Sequence, residues 1–222
     1  MDRVRRPAAG TALARVLAGD VSPAGRLPQT WYADDADPPG LFDYDVIGGR
    51  QTYLYFEGTP LFPFGHGLSY ASFRYAELVA RVRAETVHVS FTVTNTGDVI
   101  ADEVAQLCTR AEDPSVPRPR RELVAHRRLT LAPRESAEVA FELPPADFAF
   151  RDVAHGRWRL EPGPYALLAG ASGEDVRLRT TITLDGEPPA RVRRANSAWT
   201  RPASTIRAAP RSSTARSPRA TR

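Results

Sequence analysis

The chain has 222 residues, 42% hydrophobic and 25% charged, a globular composition long enough to bury a core, with a net charge of +4. Every basic residue is an arginine, nine of them between Arg191 and Arg222, and no acidic residue follows Glu187, so residues 1–187 hold 21 arginines against 26 acids, a net −5. The basic character belongs to the tail, which argues against a nucleic-acid or membrane partner for the body, and the single cysteine, Cys108, excludes an intrachain disulfide and a cysteine-rich metal site.

In chain order, Arg3, Arg5 and Arg6 precede an apolar run that is short and broken by Arg15, unlike a signal-peptide core. No stretch reaches the ~20 apolar residues that a spanning helix needs. The expectation is a cytoplasmic chain. From Gly10 to Gly19, Leu13, Val16 and Leu17 fall at i, i+3 and i+4, which predicts a short amphipathic helix with Thr11 as N-cap and Gly19 just past its end. A helix this short needs something to pack on. Pro23 to Gly58 is rich in Pro, Gly and Asp without a sustained period, and reads as a loop-dominated linker. Between Tyr53 and Phe73 the rings of Tyr53, Tyr55, Phe56, Phe62, Phe64, Tyr70 and Phe73 crowd together, as in a segment buried against a neighbouring surface.

Beyond Phe73 the period changes to two. Val87, Val89, Phe91 and Val93 alternate with polar residues up to the turn Asn95–Asp98. Ala137, Val139, Phe141 and Leu143 alternate after a turn near Pro133, and Val176, Leu178, Thr180, Ile182 and Leu184 form a third run. Weaker strands are expected at Leu78–Ala84, Glu103–Thr109, Leu123–Leu131 and Tyr165–Ala169. Seven short strands in about 110 residues predict an all-β, immunoglobulin-like sandwich, with Tyr165 of the Pro162-Gly163-Pro164-Tyr165 motif placed to form a tyrosine corner. From Pro188 onward the Arg, Ala, Ser, Thr and Pro content predicts a disordered tail.

Three stretches in order carry a family resemblance. They are GTALARVLAGDVSPAGRLPQTW (Gly10–Trp31), PLFPFGHGLSYASFRY (Pro60–Tyr75), and the dispersed set VTNTGDVIADEVAQL, VPRPRREL, LAPRESAEVAFEL and EPGPYALLAGASGEDVRL. Together they resemble the C-terminal region of glycoside hydrolase family 3, the β-glucosidases, β-xylosidases and related enzymes. The departures are Val124, Ala125 and His126 where the family often has Lys-Gly-Phe, Arg134 in place of a turn glycine, and Cys108 in place of an aromatic. The resemblance implies that residues 1–31 end an α/β sandwich domain, 32–73 form an aromatic-rich linker, 74–187 a fibronectin type III-like domain, and 188–222 an Arg-rich tail.

The resemblance also implies retaining hydrolysis of O-glycosyl bonds in the complete enzyme. That chemistry requires two carboxyl groups about 5–5.5 Å apart, and the family sets the nucleophile on a barrel of about 250 residues upstream. No catalytic, cofactor-binding or metal-binding residue is therefore assigned, and the expected partners are the remaining domains of a family 3 glycosidase, with carbohydrate bound only by the whole. Asp34, Asp35, Asp37, Asp43 and Asp45 cluster in a stretch that reads as solvated, so a pKa-tuned pair among them is not expected. Glu112, Asp113, Glu174 and Asp175 read as surface charge, His66 as structural between Gly65 and Gly67, and Phe64 as part of a segment bordering the active site of the complete enzyme. Arg118, Arg120, Arg121 and Glu122 are expected to form surface ion pairs. The alternative is a free-standing sandwich that binds carbohydrate or a protein; the Gly10–Gly19 helix and the aromatic linker favour the enzyme's C-terminal part.

Overall fold

A computed structural model describes residues 8–188. The arginines of the first six residues and the tail beyond Pro188 lie outside the described residues. Helix α1 spans Ala9–Leu17 and α2 Thr52–Tyr55. The strands are β1 (Phe73–Arg83), β2 (Thr86–Asn95), β3 (Ala101–Ala111), β4 (Glu122–Leu131), β5 (Ser136–Leu143), β6 (Phe150–Asp152), β7 (Arg157–Arg159), β8 (Gly163–Gly170) and β9 (Val176–Leu184). One sheet has the order β1-β2-β5 and the other β4-β3-β8-β9, all neighbours antiparallel, and β6-β7 is a separate hairpin. This is the expected sandwich.

The core lies where the inner faces meet. Val87, Val89, Phe91 and Val93 of β2 are fully buried, as are Val139 of β5 and Leu107 and Leu167 of the opposite sheet. Each such side chain contributes about 1.5–3 kcal/mol on removal from water. Polar residues of β2 take the other face, as its period-two pattern requires.

Two strands depart from simple alternation for identifiable reasons. In β1 the register shifts between Ala76 and Val79, and Glu77 adopts φ +61°, a bulge that breaks the period. In β3, Ala105 through Thr109 are all buried, because the linker covers the outer face of this strand as the core covers the inner one. The hairpin β6-β7 was absent from the expected strands, since three residues per strand are too few to show a period.

Helix α1 also differs in detail. The residue preceding it is Ala8, with no side-chain cap, so Thr11 lies inside the helix rather than at its cap. Gly19 does close the helix at φ +83°, a conformation glycine adopts without steric cost, with its N–H donated to the Val16 carbonyl. Leu13 and Leu17 remain 60% and 75% exposed.

Candidate functional site

The described chain concentrates its unusual chemistry where the linker meets the sandwich. Residues 27–31 run antiparallel to 62–66: Trp31 and Phe62 exchange both backbone bonds, Leu27 donates to the His66 carbonyl and Gly65 to the Leu27 carbonyl. This pair lies on β3. Arg26 Nη2 reaches Glu103 Oε2 at 3.0 Å, and Tyr75 donates its hydroxyl to Glu103 Oε1 at 2.9 Å, both from inside the fold. Burial, followed by the charge of Glu103, pushes the Tyr75 phenol well above its usual range. The guanidinium of Arg177 covers the Tyr75 ring at 4.9 Å.

Glycine permits this closeness. A Cβ on Gly67 would stand 2.2 Å from the Gly25 carbonyl oxygen, and one on Gly65 2.4 Å from Gln106 Nε2. Gln106 in turn donates to the Gly65 and Ala171 carbonyls, leaving its own buried Oε1 without a partner among the described residues. His66 between them uses its backbone, while its ring lies 5.1 Å from Phe62.

Most of the expected aromatic cluster is engaged. Tyr53 stacks on Phe64 with centroids 4.0 Å apart, and its hydroxyl accepts from the Leu123 N–H. Arg120 donates its backbone N–H to Leu54 O and its side chain to Phe56 O. Tyr70 donates to Val16 O, fastening the end of α1.

The carboxylates weighed in the sequence lie mostly exposed, in local turns or beside arginines. Asp34, Asp37, Asp43 and Asp45 are exposed and accept backbone N–H groups of their own turns, and Asp35 is exposed beside them. Glu174 meets Arg121, Asp175 meets Arg177 at 2.7 Å, Glu112 meets Arg179, and Asp113 is exposed. Of the arginines expected in surface ion pairs, only Arg121 forms one among the described residues; Arg118 and Arg120 bind the Phe148 and Phe56 carbonyls. Burial raises the Glu122 carboxyl, with Arg118 lowering it and Asp147 raising it, and burial raises Asp147 as well. Cys108 is buried against Ala166, Leu168 and Leu123, and burial pushes its thiol up to about 12.

Sequence patterns missed the most buried charges. Arg26 and Glu103 lie 77 positions apart, and Asp152 meets Arg159 at 3.0 Å only because the β6-β7 hairpin folds back. His155 Nδ1 lies 2.8 Å from Asp152, and Arg118 and Arg159 lie over the Phe150 ring at 4.5 and 5.2 Å. Tyr165 does form the tyrosine corner, donating to Glu161 O at 2.8 Å.

A seven-strand sandwich with a tyrosine corner, sealed on one face by an aromatic linker, defines a fibronectin type III-like module joined to the end of another domain. Residues 7–70 match the glycosyl hydrolase family 3 C-terminal domain and residues 103–173 the fibronectin type III-like domain. The chain is 36% identical over 193 residues to a beta-glucosidase of Rhizobium radiobacter, covering 79% of this chain and 24% of that protein. It is 35% identical over 190 residues to an exo-alpha-(1->6)-L-arabinopyranosidase of Bifidobacterium longum, covering 80% and 25%. The crystal structure of a Bifidobacterium adolescentis GH3 beta-glucosidase superposes with a TM-score of 0.76 at 35% identity, over 82% of this chain and 29% of that one. The chain corresponds to the C-terminal part of glycoside hydrolase family 3 enzymes. It spans about a quarter of the length of the curated relatives it matches.

Proposed function

We propose that these residues are the non-catalytic C-terminal part of a β-glucosidase- or β-xylosidase-type enzyme that hydrolyses O-glycosyl bonds when joined to its catalytic domains. The observation that carries this reading is an apolar surface with no work to do in the described chain. Leu13 and Leu17 of α1 point outward, and Leu41, Phe42 and Tyr44 are each more than 80% exposed. Exposed apolar side chains gathered in a patch mark a surface that docks on a partner. The remaining domains of the enzyme fit that role, with the sandwich supporting them and the linker bordering the substrate's path.

The test is complementation. The 222-residue chain alone should release no nitrophenol from nitrophenyl β-glucoside or β-xyloside. Added to a family 3 enzyme truncated before its own matching segment, it should restore activity, and substitution of Phe42 and Leu17 by serine should abolish the restoration. Hydrolysis by the chain alone, or failure to restore any activity, would refute the reading.

A further inference from the structure

The outer face of the four-stranded sheet carries an arginine cluster that the glycosidase reading does not use. Arg110 comes from β3 and Arg179 from β9, while Arg120 and Arg121 come from the segment entering β4. They converge on a cavity of about 180 Å³ whose remaining lining is Leu168 and Val176. A second depression shares Arg110 and Arg120 with it. The convergence occurs on a body that is otherwise net acidic.

Two of the four guanidinium groups are neutralised, Arg121 by Glu174 and Arg179 by Glu112. Arg110 and Arg120 form no ion pair among the described residues, and Arg120 is held in place by the Phe56 and Leu54 carbonyls. Two guanidinium groups without a carboxylate partner on one cavity repel each other, and an anion between them relieves that repulsion. A guanidinium presents its donors as a planar fork matched to carboxylate and phosphate oxygens.

We propose that this cavity binds an oxyanion, a carboxylate or a phosphate group, between Arg110 and Arg120, with the paired Arg121 and Arg179 forming its walls. Leu168 and Val176 supply an apolar floor for the organic body that carries the group. The site lies within this chain and stands whether or not the glycosidase reading holds.

Calorimetric titration of the full 222-residue chain in low-salt buffer tests it, with inorganic phosphate, glucuronate, and glucose as the uncharged control. The expected result is saturable binding of at least one anion and none of glucose. Arg110→Gln with Arg120→Gln should weaken that binding about tenfold or more, the loss of charge-assisted hydrogen bonds. Without anion the double variant should unfold below the parent, because Arg120 gives up its bond to the Phe56 carbonyl, whereas Arg110→Gln alone, at an exposed side chain, should unfold at the parent's temperature. Tighter glucuronate than phosphate identifies a carboxylate ligand, and the reverse order a phosphate. Should the double variant not fold, Arg110→Gln alone on its exposed side chain must still weaken binding. Absence of saturable binding by either anion, or binding unchanged by these substitutions, would overturn the site.

Discussion

Arg26 and Glu103 bind each other across the boundary between the linker and β3, with only 11% and 3% of their side chains exposed. A buried pair is costly to form and costlier to break, since removing one partner strands the other charge. Arg26→Ala is expected to destabilise the chain by about 3 kcal/mol or more. Glu103→Gln, which keeps a partner for Tyr75, should cost less, and urea unfolding of both variants measures the difference.

The two glycines that admit the linker make a steric prediction. Gly67→Ala places a methyl group 2.2 Å from a backbone oxygen that cannot rotate aside. The backbone must shift, at a cost of about 1–3 kcal/mol. The thermal midpoint should fall, and proteolysis should open the 58–70 segment before the sandwich.

Tyr165→Phe removes the bond to the Glu161 carbonyl inside the fold. The expected loss is about 1–3 kcal/mol, because the carbonyl is left buried and unsatisfied. Denaturant midpoints report it, and the size of the transition should be unchanged.

The pH dependence follows from Tyr75. Its phenol is raised in the folded state by burial and by Glu103, so its contribution is complete below the unfolded value of about 10 and is lost as pH rises above it. Stability should therefore fall above about pH 10, and Tyr75→Phe should flatten that fall in part, since burial also raises Tyr53, Tyr165 and Cys108.

Leu17→Ala separates the role of α1 from the stability of the sandwich. On an exposed side chain it should change the stability of the 222-residue chain by less than about 0.5 kcal/mol. In the reconstituted enzyme the same substitution should weaken assembly, seen as a higher chain concentration needed for half-maximal activity.

The strands that the sequence displayed best are those with one wet and one dry face. β2 and β5 coincide with the runs predicted for them, and each alternates along its length. β1 was faint because the bulge at Glu77 interrupts its period, and β3 because the linker dries its outer face. The seam was half legible. Its glycines and rings were visible as local composition, whereas Arg26 with Glu103, and Arg110 with Arg179, meet only through the fold. Long-range charge pairs leave no periodic trace.

The strand order has one more consequence. The three-stranded sheet ends in β1 and β5 and the four-stranded sheet in β4 and β9. Long bare edges invite another chain to add itself, and charge along the edge discourages it. Here β4 carries Arg127 and Arg128, β9 carries Arg177 and Arg179, and β1 carries Arg74, Arg81 and Arg83, while β5 carries Glu138 and Glu142. Arg177 is also tied to the Phe73 carbonyl and to Asp175, which holds its charge at the rim. Two copies of the same edge that meet bring the same sign together, which discourages an edge from pairing with itself.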